Sequence, residues 1–152
     1  METRLRRAVP ADRERIGELF LEMLRSIYHT GEVQGYGEHD LDRFFDGGED
    51  WICLAEEEGA VTAYLSIEVH REGRDFLYLD DLSVTGQSRG RGLGTRLIGR
   101  AEDYARELRI PVLVLHVEKE NTGARRLYER LGFVPFGEDG TRQRMIKRLE
   151  DT

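Results

Sequence analysis

The sequence has few of the features that stabilise secreted proteins or insert proteins into membranes. Cys53 is the only cysteine, so no intramolecular disulfide can form. No apolar run approaches the roughly 20 residues that a membrane helix requires. The opening stretch METRLRRAVP contains no apolar segment typical of a signal peptide. We therefore expect a cytoplasmic protein that does not associate with membranes.

Positive charge is also in short supply. The chain has 23 Lys and Arg residues against 30 Asp and Glu residues, which gives a net charge of −7. Because contacts to phosphate supply most of the affinity for nucleic acids, this balance argues against a nucleic-acid partner and favours a small cationic one. The four histidines are scattered without the spacing of metal ligands, so we expect no metal cofactor. His116, in an apolar segment, is expected to be structural or to line a cleft.

Hydrophobic periodicity predicts one domain with a mixed sheet. The length of 152 residues fits a single domain. The spacing of apolar residues predicts, in chain order, a strand at 3–9, helices at 11–28 and 38–46, strands at 51–57, 60–70 and 76–85, a helix at 92–109, a strand at 112–118, a helix at 122–131 and a final hairpin. The fold class is therefore a mixed α/β (α+β) architecture with a central sheet, flanking helices and one crossover unit in the middle.

The stretch SRGRGLGTRL, residues 88–97, lies between a predicted strand and a predicted helix. Its glycines let an anion approach the backbone, and the first N–H groups of a helix have no internal partner, so this junction can bind a phosphate group. The sequence has no GxxxxGKS/T loop, and neither Gly90 nor Gly92 begins a GxGxxG fingerprint. Walker-type and dinucleotide-binding loops are therefore excluded, and a solvated basic turn is the alternative.

Two blocks of the sequence resemble motifs of the GNAT superfamily of N-acetyltransferases. Arg89, Gly92 and Gly94 form R-x-x-G-x-G, which resembles the pyrophosphate-binding motif of that family and follows a strand that ends in L-x-V. The segment NTGARRLYERLGF at 121–133 resembles the family's N-x-x-A-x-x-x-Y-x-x-x-G-F segment. The resemblance covers essentially the whole chain. It implies a single N-acetyltransferase domain over residues 1–152, in which two central parallel strands splay apart.

The resemblance further implies an enzyme that uses acetyl-CoA as its co-substrate. It would transfer the acetyl group to a primary amine, on a small cationic molecule or a peptide, by direct attack in a ternary complex. The residues implied for CoA binding are Leu82, Ser83, Val84, Arg89, Gly90, Arg91, Gly92, Leu93, Gly94, Thr95, Asn121, Ala124 and Tyr128. The alternatives are a non-catalytic acyl-CoA-binding module on the same fold and, for Asn121, a role as a helix N-cap. Members of the family are often dimeric, so a homodimer is a further expectation.

Asp80 and Asp81 are the candidates for the general base. An amine with a pKa of about 10.4 must lose a proton before it attacks, and a carboxylate beside the splayed strands can accept it. Neighbouring residues of a regular strand face opposite sides, so only one aspartate is expected to face the site. Regular pairing favours Asp80, whereas a β-bulge would favour Asp81. The alternative is that these acids only bind a cationic substrate or cap a loop.

Tyr128 is the candidate general acid for the departing CoA thiolate, because its phenol has an ordinary pKa of about 10. Its helical spacing with Ala124 and Leu127 is also typical of a core aromatic. In the family, acceptor specificity usually comes from the first helices and their loop. There Tyr28 and Tyr36 are predicted to bind a cationic amine, together with the two aspartates.

Overall fold

The computed structural model describes residues 2–149, so residue 1 and residues 150–152 of the predicted domain lie outside the described part. Over residues 2–149 the strands are β1 (Thr3–Arg7), β2 (Trp51–Glu57), β3 (Ala60–His70), β4 (Phe76–Val84), β5 (Val112–Glu118), β6 (Val134–Asp139) and β7 (Arg142–Arg148). The α-helices of this part are α1 (Arg13–Tyr28), α2 (Leu93–Glu107) and α3 (Thr122–Arg130). This order confirms the predicted mixed α/β architecture. Within the same range, none of the helices combines the length and the apolar composition that a membrane crossing requires.

The described strands form one mixed sheet in the order β1-β2-β3-β4-β5-β7-β6. β4 and β5 are parallel, and every other neighbouring pair is antiparallel. The parallel pairing covers only Leu77–Leu79 against Leu113–Leu115, although both strands continue beyond it. The carboxyl-terminal halves of β4 and β5 therefore separate, and they leave a gap in the middle of the sheet. Ligands of open sheets commonly bind in crevices of this kind.

Apolar residues on the two faces of the sheet form two cores. On one face α2 buries Leu97, Ala101 and Ala105 completely. On the opposite face α1 does the same with Ile16 and Leu19. Because burying a leucine or isoleucine side chain stabilises a fold by roughly 1.5–3 kcal/mol, the two helices are held firmly against opposite faces of the sheet.

The predicted helix at 38–46 is wrong, because the chain forms only a 3-10 turn at Asp42–Phe44 there. Gly47 follows the turn with a φ of 84°, which ends helical geometry. A segment this short is marginal as a helix, since nucleation fixes several residues for a single hydrogen bond. Its position is determined instead by Leu41 and Phe44, which are buried in the core beside α1.

Candidate active site

A cavity of about 700 Å³ opens in the gap between β4 and β5. The predicted site residues that line it are Tyr28, Asp80, Asp81, Leu82, Ser83, Val84, Arg89, Gly90, Gly92, Leu93, Gly94, Thr95, Asn121, Ala124 and Tyr128. Two further predicted site residues, Tyr36 and Arg91, lie outside this lining. The gap therefore brings the glycine loop and the candidate acid and base residues to one cavity.

The glycine loop enters α2 through residues with left-handed backbone geometry. Gly90 has a φ of 79° and Gly92 a φ of 80°, a region that L side chains rarely adopt. The N–H of Arg96 donates to the carbonyl of Gly92 at 3.0 Å, so the N–H groups of the preceding turn have no acceptor within the helix. Together with the positive end of the helix dipole, these amides form a candidate anion site on the cavity wall.

Gly94 lies at a closely packed position. A Cβ atom at this position would lie 3.3 Å from Cδ2 of Leu127 and 3.6 Å from Cδ2 of Leu82. The first distance is shorter than an ordinary van der Waals contact. The absence of a side chain thus lets α2 approach both α3 and β4 at the end of the cavity that contains the anion site.

A buried carboxylate fixes the outer side of the glycine loop. The guanidinium of Arg91 lies 2.7 Å from Oε1 of Glu57, and the hydroxyl of Thr62 donates to the same oxygen at 2.9 Å. Burial raises the pKa of Glu57, but hydrogen bonds from Thr62 and Ser88 and the charge of Arg91 outweigh burial and lower it below the usual value. Arg91 therefore anchors the loop to the end of β2.

Glu22 of α1 fixes the start of the same loop. Its carboxylate accepts hydrogen bonds from the hydroxyl of Thr85 at 2.9 Å and from the N–H of Gly86 at 2.8 Å. Arg89 lies 3.6 Å from this carboxylate and donates its Nε–H to the carbonyl of Val84 at 2.9 Å. The loop is therefore fixed at both ends.

A β-bulge places both candidate aspartates on one face of β4. Leu79 and Leu82 of β4 pair regularly with Ile67 and Leu65 of β3. Between these two pairs β4 has two residues, Asp80 and Asp81, whereas β3 has only Ser66. Leu79 and Leu82, on either side of the bulge, both pack into the core beneath α2, and both aspartates line the cavity. The expectation that only one of them would face the site is wrong, because both line the cavity. Of the two alternatives for β4, the structure has the β-bulge, the case that favoured Asp81 as the base.

The two aspartates differ in their surroundings. Asp80 is exposed, whereas Asp81 is half-buried and accepts a hydrogen bond from Tyr36 Oη at 2.5 Å. Burial and the charge of Asp80 raise the pKa of Asp81, the hydrogen bond from Tyr36 lowers it, and the net pKa is about 6. At neutral pH this carboxylate is ionised and binds a proton more tightly than an ordinary aspartate, as a general base requires.

Glu68 of β3 extends the acidic group beside the bulge. It is buried, and its carboxylate lies 2.5 Å from Nη2 of Arg43 and 3.1 Å from Nε2 of His70. Burial and the neighbouring Asp80 raise the pKa of Glu68. This side of the cavity is therefore acidic, and Arg43 balances part of its charge.

Tyr128 of α3 is at once a core residue and a cavity residue. It is only 9% exposed, and its ring contacts that of Phe133 with the centroids 6.0 Å apart. Burial raises the pKa of Tyr128 to about 12, and no hydrogen bond within residues 2–149 contributes to this shift. The phenol is therefore protonated at neutral pH, and its proton is available to a ligand in the cavity.

Asn121 caps α3. Its Oδ1 accepts a hydrogen bond from the N–H of Ala124 at 3.3 Å, and both residues line the cavity. The predicted N-cap is thus confirmed, and contact with a bound ligand stays a prediction.

The sequence model of the acetyltransferase (GNAT) family matches residues 18–133. The chain belongs to the GNAT family. It is therefore an acyltransferase of the N-acetyltransferase type. Within the GNAT fold, the gap between β4 and β5 is the splay that the sequence motifs implied.

Named relatives of this GNAT chain differ in length. The 5-NmdU N-acetyltransferase of Pseudomonas phage PaMx11 is 30% identical over 135 residues, which cover 88% of this chain and 89% of that protein. A mycothiol acetyltransferase of Beutenbergia cavernae is 35% identical over 94 residues, but these cover 62% of this chain and only 31% of that protein. The chain thus spans about a third of the length of this second relative.

A solved structure agrees in fold. The PaiA N-acetyltransferase of Thermoplasma acidophilum, in complex with coenzyme A, matches with a TM-score of 0.79 at 17% identity and covers 97% of this chain and 99% of that one. At this level of identity the likeness concerns the fold alone.

A hydrogen-bonded chain that the sequence did not predict crosses the GNAT splay at its apex. Tyr78 Oη lies 2.6 Å from Nδ1 of His116, and Nε2 of His116 lies 2.7 Å from Oδ2 of Asp139. An ionised Asp139 can only accept, so in the neutral imidazole the proton is assigned to Nε2, and Nδ1 then accepts from Tyr78. The only signal in the sequence was the alternation of VLVLHVE, which puts His116 on the face opposite its buried leucines.

A hydrogen bond between α1 and β5 forms another part of the cavity wall. Tyr28, the last residue of α1, donates its hydroxyl to Oε1 of Glu118 at 2.9 Å. Tyr28 is 53% exposed and, like Glu118 and Arg142, lines the cavity. Tyr28 is thus in reach of a ligand, whereas Tyr36 is turned away from the cavity, behind Asp81.

Proposed function

We propose that this chain transfers the acetyl group of acetyl-CoA to a primary amine by direct attack in a ternary complex, and that residues 1–152 act as one N-acetyltransferase domain. The observation that carries the proposal is the cavity between β4 and β5. Its lining includes the anion site at the start of α2, the carboxyl group of Asp81 and the phenol of Tyr128.

The CoA end of the cavity has partners for each part of that molecule. The pyrophosphate would accept hydrogen bonds from the free amides of the first turn of α2. The pantetheine arm would run along Leu82–Val84, because β4 has no neighbour on the β5 side beyond Leu79 and its unpaired backbone groups need partners. Asn121 and Ala124 would contact the arm from the opposite wall. The N–H of Leu82 or Val84 would polarise the thioester carbonyl.

The proposed reaction involves three proton transfers. Asp81 accepts one proton from the ammonium form of the acceptor, and the free amine attacks the carbonyl carbon of the thioester. As the C–S bond breaks, Tyr128 donates its proton to the thiolate, and the second amine proton restores the phenol. Because the pKa of Tyr128 is about 12, these last two transfers would be concerted.

A cationic amine is the acceptor that this end of the cavity favours. Asp80, Asp81 and Glu118 supply negative charge, and the exposed ring of Tyr28 offers a face for a cation. We therefore propose an amine on a small cationic molecule or on a peptide. The acidic wall would attract the ammonium form, and Asp81 would then remove its proton.

The experiment that tests the proposal is a thiol-release assay with acetyl-CoA and a panel of amines. The panel contains polyamines, aminoglycosides, amino acids and peptides with a free N-terminus. We expect CoA to be released only in the presence of an accepted amine, and the acetylated amine to appear in equal amount by mass spectrometry. Tight binding of CoA without turnover across the panel would contradict the proposal and favour a non-catalytic acyl-CoA-binding module.

A further inference from the structure

Tyr36 lies behind Asp81, on the side that faces away from the cavity. It belongs to the irregular connection after α1, and its ring stacks on that of Phe20 with the centroids 4.0 Å apart and the planes 18° apart. Its hydroxyl lies 2.5 Å from Oδ2 of Asp81 and 3.0 Å from the hydroxyl of Tyr64. Tyr36 therefore links a core tyrosine to the candidate base.

Tyr64 is an unusual residue for its position. It is fully buried on β3 in the core beside α1, and among the described residues its hydroxyl bonds only to Tyr36. A phenylalanine would fill the same space without a polar atom to satisfy, and an unpaired buried hydroxyl is costly. Packing alone thus gives no reason for a hydroxyl at either Tyr36 or Tyr64.

The direction of the hydrogen bonds follows from the charge of Asp81. An ionised carboxylate only accepts, so Tyr36 donates to Oδ2 and Tyr64 in turn donates to Tyr36. In this arrangement every hydroxyl proton of the chain has an acceptor. Because Oδ2 already accepts a hydrogen bond from Tyr36, Oδ1 is the oxygen left to receive a proton from the acceptor amine.

We propose that Tyr36 and Tyr64 are positioning residues, which hold the carboxylate of Asp81 so that Oδ1 faces the acceptor. The inference rests on the proposed function, in which Asp81 is the base. It gives Tyr36 a role different from the amine binding that the sequence predicted. The hydrogen bond from Tyr36 is stronger to the charged carboxylate than to the neutral acid, so the chain also favours the ionised form of Asp81.

Several other groups act on the charge of Asp81. Those that face it are Asp80 and Tyr78 on the same strand, Glu68 and Tyr64 on β3, Arg43 in the 3-10 turn and Tyr36 in the connection. Burial, Asp80 and Glu68 favour the protonated acid, whereas Tyr36 and Arg43 favour the carboxylate. Loss of the Tyr36 hydroxyl removes one of the two groups that keep Asp81 ionised.

The kinetic test compares Tyr36→Phe and Tyr64→Phe with the unaltered protein over a range of pH. We expect the acid limb of kcat to move to higher pH by about one unit in Tyr36→Phe, which lowers kcat about tenfold on that limb. At high pH kcat should recover, and the KM for acetyl-CoA should not change. Tyr64→Phe should shift the limb in the same direction by less, because it only weakens the donor.

Tyr104→Phe is the matched control. Tyr104 is also a buried tyrosine with one hydrogen bond, to the carbonyl of Glu49 at 2.6 Å, and it lies outside the cavity lining. We expect its acid limb to stay in place. A loss of kcat in Tyr36→Phe that is the same at every pH, or an unmoved acid limb, would overturn the inference.

A second readout does not depend on turnover. Carbon NMR of the side-chain carboxyl groups follows the titration of Asp81 in the CoA-bound protein, with and without Tyr36→Phe. We expect Asp81 to titrate at higher pH in the variant. An unchanged titration would reject the positioning role even in an active enzyme, whereas a shifted titration in a protein that acetylates no amine would reject only the proposed function.

Discussion

The guanidinium of Arg91 lies 2.7 Å from the buried carboxylate of Glu57. Arg91 is the central arginine of the glycine loop, and its side chain does not line the cavity. The same loop therefore contains two kinds of arginine. Arg89 lines the cavity, while Arg91 fixes the loop to the sheet. A loop held in this way presents its amides without having to be ordered when the ligand binds.

Glu57→Gln tests this anchoring. The substitution keeps the shape of the side chain and removes the charge that pairs with Arg91. We expect the Kd for CoA to rise by about tenfold, the order expected for one charge-assisted hydrogen bond. Calorimetry with CoA measures it, and Glu58→Gln, in the exposed turn next to it, is the control. Equal affinities of the two variants would show that the loop needs no anchor.

Gly92→Asp tests the anion site. A side chain at a φ of 80° costs about 1–2 kcal/mol in strain, and a carboxylate at the start of α2 would repel a phosphate. We expect a soluble protein whose Kd for CoA is raised at least about 100-fold. Gly99→Asp adds the same charge farther along α2, where a Cβ meets no atom within 4 Å, and should bind CoA normally. Unchanged affinity for CoA in Gly92→Asp would favour the alternative interpretation of the loop as a solvated turn.

Tyr128→Phe tests the general acid. We expect kcat to fall roughly 100-fold, with little change in the KM for acetyl-CoA. The Tm should stay close to that of the unaltered protein, because no hydrogen bond within residues 2–149 contributes to the pKa of this phenol. Steady-state kinetics and thermal melts on the same samples separate these effects. Full activity would remove Tyr128 as the acid but leave the family assignment intact.

Asp81→Asn should lower the activity and raise the stability of the folded protein at neutral pH. The pKa of Asp81 is about 6 in the folded chain, above the value of about 3.9 for an unfolded aspartate. The folded state thus binds this proton more tightly, and the free energy of unfolding falls as the pH rises from about 4 to about 6. We expect Asp81→Asn to raise the Tm at pH 7 but not at pH 4, and to lower kcat roughly 100-fold.

The exposed neighbour provides the control for that substitution, since Asp80→Asn should raise the Tm at pH 7 by less than Asp81→Asn does. If Asp81→Asn keeps the activity of the unaltered enzyme, the base is to be sought in the hydrogen-bonded pair Tyr78 and His116, of which His116 also lines the cavity.

Much of this arrangement could be predicted from the sequence because it depends on local pattern. The alternation and helical spacing of apolar residues indicated the strands and the three α-helices, and the two motif blocks indicated which strands separate. The failure at 38–46 has a tertiary cause, since burial of Leu41 and Phe44 determines that segment and helix propensity does not.

The finer features of the site depend on partners that are distant in sequence. Asp80 and Asp81 share a face because the neighbouring strand β3 has a single residue, Ser66, opposite the two of them. The orientation of Arg91 depends in the same way on a carboxylate at the end of β2. Neither fact has a signature within a few residues of the group concerned, so periodicity could not reveal it.

Glu22 joins two parts of the site that are usually considered separately. The helix that contains it also supplies Met23, Leu24 and Ile27 to the cavity wall, while its own carboxylate holds the start of the glycine loop. A graft of this helix from another acetyltransferase, made to obtain a new acceptor specificity, would therefore carry a cofactor determinant with it. Such a chimera should retain a glutamate at this position if it is to keep its affinity for CoA.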